Sequence, residues 1–306
     1  MKRLSPEELA AALASPMPPR VLDVRLADDF EAAHLPGAVN NTVFEVVFAD
    51  RLPELLPDPT RPVCLYGASH GSDEDWMAGE KLERLGYRSV SLLDGGLAAW
   101  RKAGLAVNEG IPLPAAPVAP DGRVEVDTEL STVEWLGRNL LNKHHGAVAL
   151  KSGHLTFAGG RLAGGEFVVD LTRMACADLA GDPLHDVLIR HLQSDDFFDV
   201  ERFPDARFAI TGVEERAHTP GSPNLRLHGD LTIKDRVHAI AFDAAAGWTP
   251  GGLPAAQATL AFDRTLWGAL YGSGKHFQRL AGNLVNDLIE IQLRVVGRGE
   301  DYALDE

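Results

Sequence analysis

The side chains that could do chemistry fall into two groups. The first is a loop, Gly67, Ala68, Ser69, His70, Gly71 and Ser72, which follows the apolar run Val63–Tyr66 and precedes a helical pattern from Trp76. A strand–loop–helix passage of small residues presents backbone amides and a positive helix end to an anion, and it lowers the pKa of a thiol placed within it. This loop contains no cysteine. Cys64 lies three residues earlier, inside the apolar run, where it is expected to face into a sheet; Cys176 sits in the small-residue run "RMACAD". Both read as buried free thiols. Asp73, Glu74 and Asp75 follow the loop, where they suit a helix N-terminus as caps and repel an incoming anion. His70 is a candidate base or ligand, but a loop histidine with no thiol beside it is more simply solvated.

The second group is histidine. His144, His145, His154, His185 and His191 fall within 48 residues, and none shows the i, i+4 helical pairing with an acid that builds a zinc hydrolase site. His185 and His191, six apart on one expected helix, fall on nearly opposite faces. No metal and no cofactor is expected on this reading. His144 and His145, followed by Gly146, fit a turn able to donate a hydrogen bond to a polar head group. The glycines of "YGSGKHF" (271–277) lack the phosphate-loop spacing and are expected to form a strand-to-helix turn.

The elements that must position these residues divide in two. A chain of 306 residues suits two domains, and the segment "IPLPAAPVAP" (111–120), with four prolines and no charge, reads as an extended spacer. The expected boundaries are a domain over 1–110, the linker 111–120, a second domain over 121–300 and an acidic tail, 301–306. Before the linker, short apolar runs alternate with helical patterns (Trp76–Leu85, Leu97–Ala103), which predicts an α/β domain with a parallel sheet covered on both faces. At the start, Ser5, Pro6 and Glu8 predict a helix opened by a capping box.

After the linker, two-residue alternation dominates: Phe208 and Ile210; Leu225, Leu227, Leu231 and Ile233; Ile289, Ile291, Leu293 and Val295. About eight antiparallel strands, interrupted by one helix over Pro183–Gln193, predict a closed barrel or a sandwich. The formal charge is −15 and no basic stripe occurs, which argues against nucleic acid and anionic membrane surfaces as partners. Two cysteines, no run long enough to span a membrane and an acidic, capped N-terminal helix in place of a leader favour the cytoplasm.

"VLDVRLADDFEAAHLPGAVN" (21–40) and "SLLDGGLAAW" (91–100) resemble the flanking signatures of the rhodanese family, over roughly residues 4–105. Members that transfer sulfur carry a cysteine directly after the central strand. Here that place is Gly67 counted from the strand, or Ser69 counted back from the helix, so the resemblance implies a rhodanese-like module without its nucleophile. Arg25, Glu31 and His34 read as structural groups under the loop.

From about Val124 to Val296, the segments "VDTELSTVEWLGRN", "HLQSDDFFDVERFPDARFAITGV", "LRLHGDLTIKDRVHAIAFDAAA" and "FDRTLWGALYGSGKHFQRLAGNLVNDLIEIQLRVV" resemble the YceI-like family. The resemblance implies a lipocalin-shaped barrel holding a polyisoprenoid chain. Inward candidates are Trp135, Leu155, Phe157, Phe167, Phe208, Ile210, Leu227, Ile240, Phe242, Leu260 and Phe262, with Phe197 and Phe198 as a lid or plug at one end. The expected function is that of a non-enzymatic carrier of a long apolar ligand, the first module docking a protein partner or assembling a homodimer. Two other readings stay open: a sulfurtransferase with another nucleophile, and a scaffold whose barrel is filled.

Overall fold

A computed structural model describes residues 1–299 apart from Pro114, Ala116, Val118–Pro120, His218, Pro220, Ala281 and Gly282. Part of the expected linker and the whole of the expected acidic tail therefore lie outside the described residues. The chain forms two compact units, Met1–Ala116 and the remainder from Pro117.

In the first unit five short parallel strands lie in the order β1 (Lys2–Leu4), β6 (Val90–Leu93), β5 (Val63–Tyr66), β2 (Arg20–Asp23), β4 (Val39–Asn40), and β3 (Ala33–His34), which follows helix α2 (Ala27–Ala32), pairs separately with β7 (Asn108–Glu109). Alternation along these strands divides their side chains between two cores. Val21, Cys64, Tyr66 and Leu93 meet Leu9 of α1 (Pro6–Leu13) and Leu97 and Trp100 of α5 (Gly96–Lys102). Leu22, Val63, Leu65 and Leu92 meet Phe48 and Leu52 of α3 (Phe48–Leu55) and Ala78 and Leu82 of α4 (Glu74–Arg84). A central strand buried on both faces has to be apolar nearly throughout, which is why "VCLY" carries no charge and its one hydroxyl, on Tyr66, accepts from the Leu35 N–H at 3.1 Å. The capping box is present: the Ser5 hydroxyl accepts from the Glu8 N–H at 3.2 Å, and Glu8 accepts from the Ser5 N–H at 2.8 Å. Arg25 is a structural cation; its Nη2 donates to Asp23 at 2.6 Å and to the Ala33 carbonyl at 2.6 Å. His34 stacks on Phe30 and its Nδ1 lies 2.8 Å from the Phe30 carbonyl.

The second unit is a closed antiparallel barrel of eight strands: β9 (Thr132–Arg138), β10 (Lys143–Ala158), β11 (Arg161–Cys176), β12 (Asp205–Glu215), β13 (Leu225–Ile233), β14 (Arg236–Trp248), β15 (Pro254–Asp263) and β16 (Leu288–Val296). Pairing of β16 with β9 and of β10 with β11 closes the ring. A further short strand, β8 (Gly122–Glu125), pairs with the far half of β10. Bulges bend the 16-residue β10 along its ladder, as closure of a small barrel requires. Gly229, which interrupts the apolar alternation of β13, faces Ile210, and a Cβ there would fall 2.4 Å from the Phe208 ring. The missing side chain makes room for that aromatic.

Helix α6 (Leu184–Gln193) follows β11. The glycine-bearing 271–277 segment is not the strand-to-helix turn expected of it. It is a run of turns after a short 3-10 helix, Arg264–Trp267, held to the rest of the barrel by the Arg264 side chain.

Candidate functional site

Inward-pointing residues of the barrel leave a cavity of about 460 Å³, within the range of small-molecule sites. The barrel is therefore hollow, not filled. Trp135, Leu155, Phe167, Phe208, Ile210, Leu227, Ile240, Phe242, Leu260 and Phe262 all line it. Phe157 does not. It keeps the face of Leu155, two residues before it, and packs in one cluster with Leu155 and Leu150, but it lies at the end of its strand past the cavity and stacks on Trp248 at 6.3 Å between centroids. Both residues sit beside turns, at the end of the barrel opposite α6.

The polar lining is gathered at the α6 end. Arg138, Asn139, Asn142 and His144 come from the β9–β10 hairpin, His191 from α6, and Arg264, Tyr271, Asn283 and Asn286 from the segment between β15 and β16. His145 does not line the cavity; its Nδ1 lies 3.4 Å from Asp178 Oδ1. The structure also separates the α6 histidines: His191 meets Phe197 and Tyr271 edge-on at 5.0 and 4.5 Å, while His185 Nε2 accepts from the Cys176 N–H at 3.3 Å. Phe197 and Phe198 are buried, pack with Val200, Ile233 and Trp267, and line the same end of the cavity. They form part of its inner wall there.

Apart from His144 and His191, these polar groups were not singled out from sequence. Arg264, only 1% exposed, is the clearest case: a lone arginine in "FDRTLW" reads as surface, yet its guanidinium donates to the carbonyls of Ala269, Tyr271 and Val285. The visible signal is the asparagine-rich hairpin "RNLLNKHH", whose Asn139 side chain accepts from the Leu141 and Asn142 amides.

In the first unit the loop Gly67–Ser72 packs on the start of α5: the carbonyls of Gly67 and Ala68 accept from the N–H groups of Leu97 and Ala98, both at 3.0 Å. The Ala68 N–H donates to Glu74 Oε1 at 2.7 Å, the Gly71 N–H to Ser69 Oγ at 3.3 Å and the Ser72 N–H to the Ser69 carbonyl at 3.3 Å. His70 is largely exposed, 3.6 Å from Asp94. The three acids open α4 as expected, but only Asp75 accepts a first-turn N–H, that of Trp76 at 2.7 Å. Asp73 is the N-cap but makes no side-chain cap bond, Glu74 turns back to the loop, and Asp75 is buried 3.5 Å from Arg3. Burial pushes the Asp75 carboxyl above the usual range and the Cys64 thiol up to about 12.

The family comparisons agree with this architecture. A family model for the YceI-like domain matches residues 125–297, more than half of the chain. The chain belongs to the YceI-like family. Its first unit is a rhodanese-like domain, matched over residues 5–103. The YceI-like barrel is similar to BcnA of Burkholderia cenocepacia, 17% identical with a TM-score of 0.45, over 56% of this chain and 99% of that one. A polyisoprenoid binding domain from Saccharophagus degradans is 12% identical, with a TM-score of 0.43, over 59% of this chain and 99% of its own. The Alr3790 protein of Anabaena sp. is 29% identical, with a TM-score of 0.32, over 35% and 93%. Among curated proteins, the HTH-type transcriptional regulator Rv0324 of Mycobacterium tuberculosis is 38% identical over 93 residues, and the adenylyltransferase and sulfurtransferase UBA4 of Candida albicans 30% over 101. The chain spans 39% and 23% of the length of those two relatives. Among the described residues of this YceI-like protein, no helix is long and apolar enough to cross a membrane.

Proposed function

We propose that the barrel binds and carries one long apolar molecule of the isoprenoid class, tail inward and polar head at the α6 end. The observation that carries this reading is the segregation of the lining: leucine, isoleucine and phenylalanine along the cavity, and the asparagines, His144, His191 and Arg264 at one end. An apolar tail is recognised by area removed from water, at about 25 cal/mol per Å², and the few polar groups fix its direction. A prenylated quinone added to the purified protein is expected to quench the fluorescence of Trp135 saturably at one equivalent. Absence of saturable binding for any prenyl chain would remove the reading.

The rhodanese-like unit acts in this proposal as a docking or assembly module without sulfurtransferase activity. A persulfide requires a thiol, and the loop offers none; Cys64, at 0% exposure inside β5, is out of reach of a substrate. The loop amides of Ala68, Gly71 and Ser72 are also satisfied within the chain. Two free cysteines fit a reducing compartment, and we place the protein in the cytoplasm on that ground.

A further inference from the structure

The start of β10 and the end of β11 bring together three side chains of the kind that hold a transition metal. The antiparallel register pairs Gly146 with Cys176, and one step further the Ala177 N–H donates to the His145 carbonyl at 2.7 Å. The pairing ends there, with His144 and Cys176 on one face, and Asp178 in the turn that follows β11 reaches back to them.

The distances agree. His144 Nδ1 lies 2.9 Å from Asp178 Oδ2, Cys176 Sγ lies 3.2 Å from Asp178 Oδ1, and one donor atom from each of the three residues falls within 4.8 Å of the other two. Tetrahedral zinc, with bonds of about 2.0–2.3 Å, needs its ligand atoms about 3.3–3.8 Å apart, inside the span seen here. Capping of the strand end explains the bond from the His145 N–H to Asp178, at 2.8 Å, but it gives no reason for a thiol and an imidazole to converge on the same carboxylate. The residues behind the cluster are also ordered: His185 accepts from the Cys176 N–H, and its Nδ1 lies 2.9 Å from Asp186, which fixes the tautomer with the proton on Nδ1.

We propose that Cys176, His144 and Asp178 form a binding site for a zinc-class divalent cation at the α6 end of the barrel. Three protein ligands of this kind leave a fourth coordination position free for an exchangeable oxygen or nitrogen donor. The Cys176 thiol proton leaves to solvent as the sulfur–metal bond forms. His144 also lines the cavity, so the same residue serves the cation and the polar end of the apolar site.

The test uses the full chain, reduced and stripped with a chelator, titrated with Co²⁺ and back-titrated with Zn²⁺. One Co²⁺ per chain with a thiolate-to-cobalt charge-transfer band, displaced by Zn²⁺, is the expected result. Cys176→Ser abolishes the band, Cys64→Ser keeps it, and His144→Ala and Asp178→Asn each weaken binding by at least about tenfold. A wild-type protein with no charge-transfer band overturns the proposal, as does a band that survives Cys176→Ser. If Cys176→Ser fails to fold by circular dichroism, the partly exposed His144 decides: unchanged Co²⁺ affinity in His144→Ala contradicts the site, and weakened affinity with the band retained supports it. The readout is the thiolate-to-metal band and no lipid binding is measured, so the outcome is independent of the carrier reading.

Discussion

Glu74 Oε1 stands 2.7 Å from the backbone nitrogen of Ala68, so the chain's own carboxylate takes the amide at the head of the loop where an active rhodanese would hold an anion. A Cβ built on Gly67 would lie 2.6 Å from the same oxygen, so a cysteine cannot enter that position while Glu74 stays in place. Wild-type protein and Gly67→Cys are both expected to give no thiocyanate from thiosulfate and cyanide. In Gly67→Cys with Glu74→Ala the Ala68 amide is freed, and the new thiol is expected to ionise at least about one unit below an ordinary cysteine. The pH profile of its alkylation checks this; an unshifted profile would show that the loop amides do not face position 67.

Cys64 is expected to be inert. Its thiol is pushed up to about 12, mainly by burial, and no part of the residue reaches solvent. Native protein at neutral pH should leave Cys64 unalkylated by mass spectrometry, while unfolding in denaturant should make it fully reactive. Rapid labelling in the native state would reopen Cys64 as a nucleophile.

Asp75 sets a pH dependence. Burial raises its pKa in the folded state, with the Trp76 N–H and Arg3 opposing. The folded state therefore holds a proton that the unfolded chain has released, and the benefit is complete below the unfolded value of about 3.9 and lost as pH rises through the folded one. Denaturant midpoints of the wild type and Asp75→Asn should coincide at the acid end, with the variant more stable at neutral pH. A less stable variant at neutral pH would mean that the Arg3 contact outweighs the burial.

Arg264 holds the wall of the cavity's polar end. It donates to the carbonyls of Tyr271 at 2.8 Å and Asn286 at 3.1 Å, and its guanidinium lies 5.3 Å from the Phe197 ring centre. Arg264→Met leaves several carbonyls without a donor and is expected to cost about 2–5 kcal/mol. Lysine, a point charge without the planar fork, should restore little of it. Chemical unfolding of the barrel measures both, and a loss below about 0.5 kcal/mol for Arg264→Met would contradict this role.

What could be read in the sequence follows from how local its cause is. The strand Val63–Tyr66 and the capping box at Ser5 were legible because burial on both faces, or a three-residue spacing, determines them. Ten of the eleven inward candidates line the cavity because strand alternation is local too. Phe157 keeps that alternation and packs with Leu155, but it lies at the end of its strand against Trp248, and no periodicity tells how far along a strand the cavity runs. Beyond His144, the polar end was hidden for another reason. His144, His191, Arg264 and Tyr271 come from three separate segments that meet only when β16 pairs with β9. The same holds for His144 and Cys176, which are joined by strand register and not by spacing along a helix. Glu74 reads as an ordinary helix-start acid until the loop is seen folded against it.

The central claim is that the barrel carries an apolar chain, and the most direct measurement is organic extraction of the purified full-length protein followed by mass spectrometry, run beside Ile240→Trp. Ile240 lines the cavity, so the larger ring fills an existing void instead of overpacking a core, and the variant should unfold within about 1 kcal/mol of wild type. The account predicts close to one equivalent of a prenyl-chain lipid from the wild type and a loss of most of it from the folded variant. Wild-type protein that yields no lipid and takes up no added prenyl chain, or a variant that carries as much as the wild type, would contradict it.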